Sequence, residues 1–99
     1  MRFELEFTGE AREALARLAA DGGAAVKHRK VRKTLGQLQR DPRHPGLESH
    51  EYQSFTGPAG EKVWESYVEN RTPRAWRVWW CYGPGRGRIT VITIGPHPD

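Results

Sequence analysis

The sequence contains a single cysteine, Cys81, and no long hydrophobic run. One cysteine excludes a disulfide within the chain and favours a reducing compartment. No apolar segment approaches the roughly 20 residues that a transmembrane helix needs, and no charged-then-apolar leader is visible. We therefore expect a cytoplasmic protein without membrane contact. A length of 99 residues suits one domain with a modest core, predicted over residues 1–99.

Familiar metal and nucleotide motifs are also missing. His28, His44, His50 and His97 have no cysteine or acidic partners at the spacing of a zinc site. The glycines of Gly83–Gly87 lie in a predicted hairpin turn, whereas a nucleotide-binding loop joins a strand to a helix. The sequence therefore predicts neither a metal nor a cofactor.

Charge is unevenly distributed along the chain, which has a net charge of +4. Residues 24–45 carry seven basic and one acidic side chain, residues 46–70 carry one lysine and five glutamates, and residues 71–99 carry five arginines and one aspartate. Such clusters favour a polyanionic partner, above all nucleic acid. A helix that is merely solvated has a similar composition, so charge alone leaves both interpretations open.

Hydrophobic periodicity and turn residues predict the element order β-α-α-β-β-β. The predicted strands are Met1–Phe7, about Glu61–Asn70, about Ala75–Tyr82 and Arg88–Ile94; the helices run from Thr8 to about Ala20 and over roughly Ala24–Arg40; Leu47–Gly60 is a predicted loop. We expect an α+β fold, in which the helical hairpin covers one face of a mostly antiparallel four-stranded sheet.

Alternation along the second and third predicted strands separates their side chains into two faces. Glu65 and Tyr67 share one face of the second strand, and Arg77 and Trp79 share one face of the third. An arginine between Trp76 and Trp79 is costly to bury without a partner. We therefore assign Glu65, Tyr67 and Arg77 to the sheet face without helices, and we expect that face to be open to a ligand.

These side chains suit RNA cleavage by attack of the 2′-hydroxyl, which needs a base, an acid and a cation near the phosphate. His97 can act as acid or base because its reference pKa lies near neutral pH. Glu65 is a candidate base, Arg77 a candidate phosphate clamp, and Tyr67 or Trp79 a surface for stacking an unpaired base. The structural alternative is an ion pair between Arg77 and a glutamate, with His97 bonded to backbone.

Three segments carry a resemblance to a known family: DPRHPGLESH at residues 41–50, AWRVWW at 75–80 and ITVITIGPHPD at 89–99. Together with the element order and the basic second helix, they resemble the RelE/ParE superfamily of bacterial type II toxins. RelE-like members act on ribosome-bound messenger RNA through an arginine opening the third strand and a His, Arg or Tyr just past the fourth. By resemblance these roles fall on Arg77 and His97, and a further basic role falls on Lys62. Glu65 and Tyr67 stand where several members have basic residues.

The resemblance implies a toxin that cleaves messenger RNA on the ribosome without a metal and is neutralised by a cognate antitoxin. Operator DNA would be reached only through the antitoxin. Two alternatives remain open: a ParE-like inhibitor of DNA gyrase, and an inactive protein that only binds its antitoxin. The predicted catalytic residues are His97, Arg77, Glu65 and Tyr67, and the predicted RNA-contacting residues are Lys27, Arg29, Lys30, Arg32, Lys33, Lys62, Arg74 and Trp79.

Overall fold

A computed structural model of the chain describes residues 2–98, in which two α-helices and five β-strands occur. Their bounds are β1 Glu4–Phe7, α1 Gly9–Ala20, α2 Ala25–Arg40, β2 His50–Tyr52, β3 Val63–Tyr67, β4 Trp76–Tyr82 and β5 Arg88–Pro96. Single 3₁₀ turns lie at Gly22–Ala24 and Pro45–Leu47. Met1, which belonged to the first predicted strand, lies outside the described residues. Neither helix in the described part of the chain combines the length and apolar character needed to cross a membrane.

The strands form one mixed sheet in the order β1-β5-β4-β3-β2. β1 runs parallel to β5, whereas the other neighbours are antiparallel. The predicted α+β fold, with two helices packed on a sheet, is confirmed. The sheet has five strands among the described residues, and not the four that we predicted, because His50–Tyr52 pairs with β3. A strand of three residues is too short for alternation to reveal it.

Local capping interactions set the start and end of α1. The Thr8 hydroxyl accepts a hydrogen bond from the Ala11 N–H at 3.1 Å and donates one to the carbonyl of Ile92 at 2.5 Å. The first bond satisfies a free N–H group in the opening turn of the helix, and the second fixes that turn against β5. At the other end, the Asp21 carboxylate accepts from the Gly23 N–H at 2.9 Å and orders the turn into α2.

The core lies between the two helices and one face of the sheet. Val31, Leu35 and Leu38, the predicted apolar stripe of α2, are all buried there. Trp80 on β4 is the largest fully buried side chain, at 1% exposure. Its indole N–H donates to the Ser66 hydroxyl at 2.8 Å, so the polar edge of the ring is satisfied inside the core.

The opposite face carries the predicted working residues. Glu65 pairs with Trp79 and Tyr67 pairs with Arg77 across β3 and β4, while Trp80 packs into the helix-side core. The predicted assignment of Glu65, Tyr67 and Arg77 to the face without helices therefore agrees with the register.

That second face is only partly open, which corrects one expectation. Tyr52 of β2 covers its Trp79 end, with ring centroids 5.7 Å apart, and Phe55 packs on Tyr52 in turn at 5.4 Å. A Cβ atom on Gly57 would lie 3.1 Å from the Cys81 sulfur, so a glycine permits this close approach. Trp79 is 4% exposed. It therefore does not offer the open stacking surface that we predicted.

Candidate active site

A buried carboxylate is the centre of the candidate site. Glu65 is 2% exposed, and an isolated charge at that depth would be strongly unfavourable. Its Oε1 lies 2.6 Å from His50 Nε2, and its Oε2 lies 3.4 Å from His97 Nε2 and 3.9 Å from Arg77 Nε. One carboxylate thus joins two histidines and an arginine.

Four separate segments bring these side chains together. Glu65 and Arg77 come from β3 and β4, and His50 lies directly opposite Glu65 in the pairing of β2 with β3. His97 follows β5, and its backbone N–H donates to the carbonyl of Ala75 at 2.9 Å. That bond holds the segment after β5 beside the start of β4. The predicted His97, Arg77 and Glu65 therefore meet, while His50 is an addition.

His50 has a defined proton arrangement. Its Nδ1 lies 3.0 Å from the carbonyl of Glu48, and a carbonyl only accepts, so Nδ1 carries a proton. The 2.6 Å contact between Nε2 and Glu65 Oε1 then requires one more proton, shared by those two atoms. Glu48 adopts a left-handed backbone conformation, with φ of 48°, uncommon for a residue other than glycine. No sequence pattern distinguished His50, because the strand that carries it is too short to detect.

Arg77 is held rigidly at the site. Its side chain is 11% exposed, and one terminal nitrogen donates to the carbonyls of Glu69 at 2.6 Å and Trp76 at 3.1 Å. The guanidinium carbon lies 3.7 Å from the centroid of the Tyr67 ring, within the range of a cation–π interaction. The Tyr67 ring also meets His50 edge-on, with centroids 6.0 Å apart. Tyr67 therefore fixes the position of the cation beside the carboxylate.

Three buried polar atoms in this cluster lack a hydrogen-bond partner within residues 2–98: Glu65 Oε2, Arg77 Nε and Trp79 Nε1. Folded proteins leave few such atoms, and each one calls for an explanation. The ion pair of the structural alternative is present, but at 3.9 Å it is not a hydrogen bond. Two of these atoms, Glu65 Oε2 and Arg77 Nε, lie 3.9 Å apart, and such departures from polar satisfaction are expected at functional or strained sites.

The basic helix packs on the other face of the sheet, and part of its charge is engaged within the molecule. The ammonium of Lys27 lies 3.0 Å, and that of Lys30 3.8 Å, from the Glu69 carboxylate. Lys27 also lies 5.0 Å from the centroid of the Trp76 ring. These contacts attach α2 to the β3–β4 hairpin. The other exposed basic residues of the helix are Arg29, Arg32, Lys33 and Arg40.

Glu69 has a lowered pKa although burial acts in the opposite direction. Burial raises the pKa of its carboxyl, but the hydrogen bonds from Lys27 and from the Trp76 N–H, with the charges of Lys27 and Lys30, lower it further than burial raises it. The ionised carboxylate therefore stabilises the folded state.

We expect Glu69→Gln to lower the free energy of unfolding by about 1 kcal/mol at neutral pH, because an amide retains hydrogen bonds but not the charge. A pKa below the usual 4.5 in the folded state means that this stabilisation exists above that value and disappears as the pH falls further. Urea unfolding at neutral pH and at about pH 3 measures both values. Glu13→Gln, at an exposed pair on α1, is the matched control. A difference that stays constant in acid would contradict this explanation.

Three other residues of interest lie outside the cluster. Lys62 is exposed, 4.0 Å from Glu51 of the edge strand. Arg74 lies in the turn before β4, with a left-handed backbone φ of 54°. Burial, with a smaller contribution from the charge of Glu61, raises the pKa of Cys81 to about 11. The Cys81 thiol is thus protonated at neutral pH and is no candidate nucleophile.

Comparison with known proteins gives a clear result at the level of structure. No sequence-family model and no curated protein sequence matches the chain. A YoeB/ParE toxin from Agrobacterium tumefaciens superposes with a TM-score of 0.70 at 14% identity, covering 96% of this chain and 99% of the other. The chain has the RelE-like toxin fold.

Two further structures share the RelE-like fold. A chain of the archaeal RelE–RelB complex from Pyrococcus horikoshii matches with a TM-score of 0.65 at 11% identity, covering 97% of this chain and 96% of that one. A chain of the intact E. coli RelBE toxin–antitoxin complex matches with a TM-score of 0.63 at 12% identity, covering 98% and 99%. Coverage of both partners in each pair shows that the likeness extends over the whole fold.

Proposed function

We propose that this protein is the toxin of a type II toxin–antitoxin system and cleaves messenger RNA on the ribosome. The observation that carries the proposal is the buried Glu65 carboxylate, which contacts His50, His97 and Arg77 on the sheet face opposite the helices. The RelE-like fold supports the toxin role, because structural neighbours include a YoeB/ParE toxin and RelBE toxin–antitoxin complexes.

His97 is the proposed group for proton transfer. Its side chain is 35% exposed, whereas that of Glu65 is 2% exposed, so the histidine is the one that RNA can reach. A neutral imidazole ring has one basic nitrogen that can take up a proton. This nitrogen takes the proton of the 2′-hydroxyl, and the carboxylate stabilises the resulting imidazolium. Positioned acid–base groups of this kind contribute about 10²–10⁴-fold in rate.

Cleavage exchanges one phosphorus–oxygen bond for another, and His97 moves one proton between the two oxygens. The 2′-oxygen attacks phosphorus and the bond to the 5′-oxygen breaks, which leaves a 2′,3′-cyclic phosphate. His97 returns the proton to the departing 5′-oxygen. Arg77 stabilises the additional negative charge on the phosphate oxygens, and its fixed position avoids reorganisation during the reaction.

Partners follow from the same proposal. Arg29 and Arg32 of α2 bind ribosomal RNA phosphates, and a cognate antitoxin supplies acidic side chains to the same surface. Contact with operator DNA is made through the antitoxin. The toxin acts in the cytoplasm, because translation takes place in that compartment.

The direct test is to map RNA 5′ ends by primer extension within minutes of inducing the protein alone in bacteria. We expect new ends inside translated messages, and none in cells that produce His97→Ala or in cells whose translation is blocked first. Intact messages in arrested cells with damaged DNA would overturn the proposal in favour of a gyrase inhibitor. Intact messages in growing cells would leave antitoxin binding as the function.

A further inference from the structure

A groove of about 410 Å³ lies between α2 and the 3₁₀ turn Pro45–Leu47 and reaches the end of β3. Its polar lining comprises Lys30, Lys33, Thr34, Gln37, His44 and Tyr67. Its volume falls within the range of about 300–1,000 Å³ that is usual for ligand pockets. The groove is separate from the Glu65 cluster, but Tyr67 belongs to both.

The His44 ring is fixed so that it presents a donor. The Gly46 N–H donates to His44 Nδ1 at 2.9 Å, so Nδ1 accepts and the proton of the neutral ring lies on Nε2. A Cβ atom on Gly46 would lie 3.0 Å from Nδ1 and 3.1 Å from Cε1 of that ring. The absence of a side chain at Gly46 therefore allows the ring to occupy this position.

Gln37 and two lysines add a further donor and positive charge to the groove. The Gln37 amide oxygen lies 3.5 Å from an Arg40 nitrogen that donates to it, which directs its amide nitrogen, a donor of two hydrogens, the other way. The Thr34 hydroxyl donates to the carbonyl of Tyr67 at 3.4 Å and joins α2 to the end of β3. Lys30 and Lys33 add two ammonium groups. Lys30 also lies 3.8 Å from the Glu69 carboxylate, so Lys33, Gln37 and His44 are the groups that favour an anionic ligand with acceptor oxygens.

We infer that this groove binds a backbone phosphate of single-stranded RNA, adjacent to the nucleotide at the Glu65 cluster. Tyr67 connects the two sites: its ring contacts the Arg77 guanidinium at 3.7 Å, and the same residue lines the groove. An RNA strand that passes Tyr67 thus leads from the cluster on one face of the sheet to the basic helix on the other. This inference rests on the proposed function and names the path that the substrate takes.

Binding of an oligoribonucleotide of about eight nucleotides, a length within the usual range for single-strand sites, tests the inference. Fluorescence anisotropy with the intact His97→Ala protein measures affinity without cleavage. Lys33→Ala is expected to weaken binding and to reduce the slope of log affinity against log salt by about 0.7, the value for one lost phosphate contact on a single strand. Arg17→Ala on α1 removes an equal charge outside the groove and is expected to leave that slope unchanged.

Gly46→Ala separates the groove from general charge attraction. The new methyl group must shift the His44 ring by a few tenths of an ångström, so we expect affinity to fall about two- to tenfold with no change in salt slope, because neutral His44 releases no counterion. Gly22→Ala is the matched control, since a Cβ there meets no atom within 4 Å. Equal salt slopes for Lys33→Ala and Arg17→Ala would overturn the inference. The same holds if the protein binds a polyglutamate peptide of the same length as tightly as it binds the oligoribonucleotide.

Failure of the inference can be told apart from failure of the proposed function. If messages are cut in cells but RNA affinity does not change in Lys33→Ala and Gly46→Ala, the proposed groove binding is wrong and the proposed cleavage stands. Groove-dependent binding with intact messages in induced cells would support the groove and overturn the cleavage reaction.

Discussion

Glutamine in place of Glu65 is expected to slow single-turnover cleavage of messenger RNA on programmed ribosomes by about 10²–10³-fold. The amide fills the same space and keeps a hydrogen-bonding group toward His50. It cannot stabilise an imidazolium on His97, whose Nε2 lies 3.4 Å from the carboxylate. Binding to the ribosome should change little, because the side chain is 2% exposed. Rate loss without affinity loss is thus the expected result.

A double variant determines whether Glu65 acts through His97. Two groups that work as one unit give non-additive losses, so the combined Glu65→Gln/His97→Ala protein should be no slower than His97→Ala alone. Glu51→Gln on the neighbouring edge strand removes an exposed carboxylate and serves as the control. Losses that multiply in the double variant would mean that Glu65 acts independently, for example on Arg77.

Truncation of Trp80 to alanine should produce the largest loss of stability, about 3–5 kcal/mol in the free energy of unfolding. The ring is 1% exposed, stacks on Trp64 with centroids 6.3 Å apart, and bonds to Ser66 at 2.8 Å. Its removal leaves a cavity, while the Ser66 hydroxyl keeps its other partner, the Ser49 hydroxyl at 2.7 Å. Urea unfolding followed by circular dichroism measures the effect.

Val26→Ala is the control for that measurement, because Val26 is 56% exposed. Its expected change lies within about 0.5 kcal/mol, as is usual for surface positions. A loss below about 1 kcal/mol for Trp80→Ala would show that the core collapses around the missing ring, contrary to the packing described above.

The helices and the two faces of the sheet were predictable because their signals are local. α2 was predicted at roughly Ala24–Arg40 and occurs at Ala25–Arg40, since its apolar stripe and the proline that follows act over a few residues. Polarity alone placed Glu65 and Arg77 on the correct face, because alternation relates neighbours along one strand.

The missed features depend on contacts between distant segments. His50 meets Glu65 only because a three-residue strand pairs there, and Trp79 is covered by Tyr52 of that same strand. The pairing of Lys27 with Glu69 joins residues that lie 42 positions apart. Such separations leave no periodic trace in a sequence. The candidate site was therefore predictable in residue type, but its geometry was not.

The position of β5 within the sheet has a consequence for synthesis of the protein. β5 lies between β1 and β4, and within residues 2–98 β1 pairs with β5 alone, so β1 has no partner strand there until β5 has been translated. His97 follows β5 and is made later still. Contacts between segments that lie so far apart in the sequence also form slowly during folding. A nascent chain therefore cannot assemble the candidate active site while the ribosome that makes it is still translating the strands before β5.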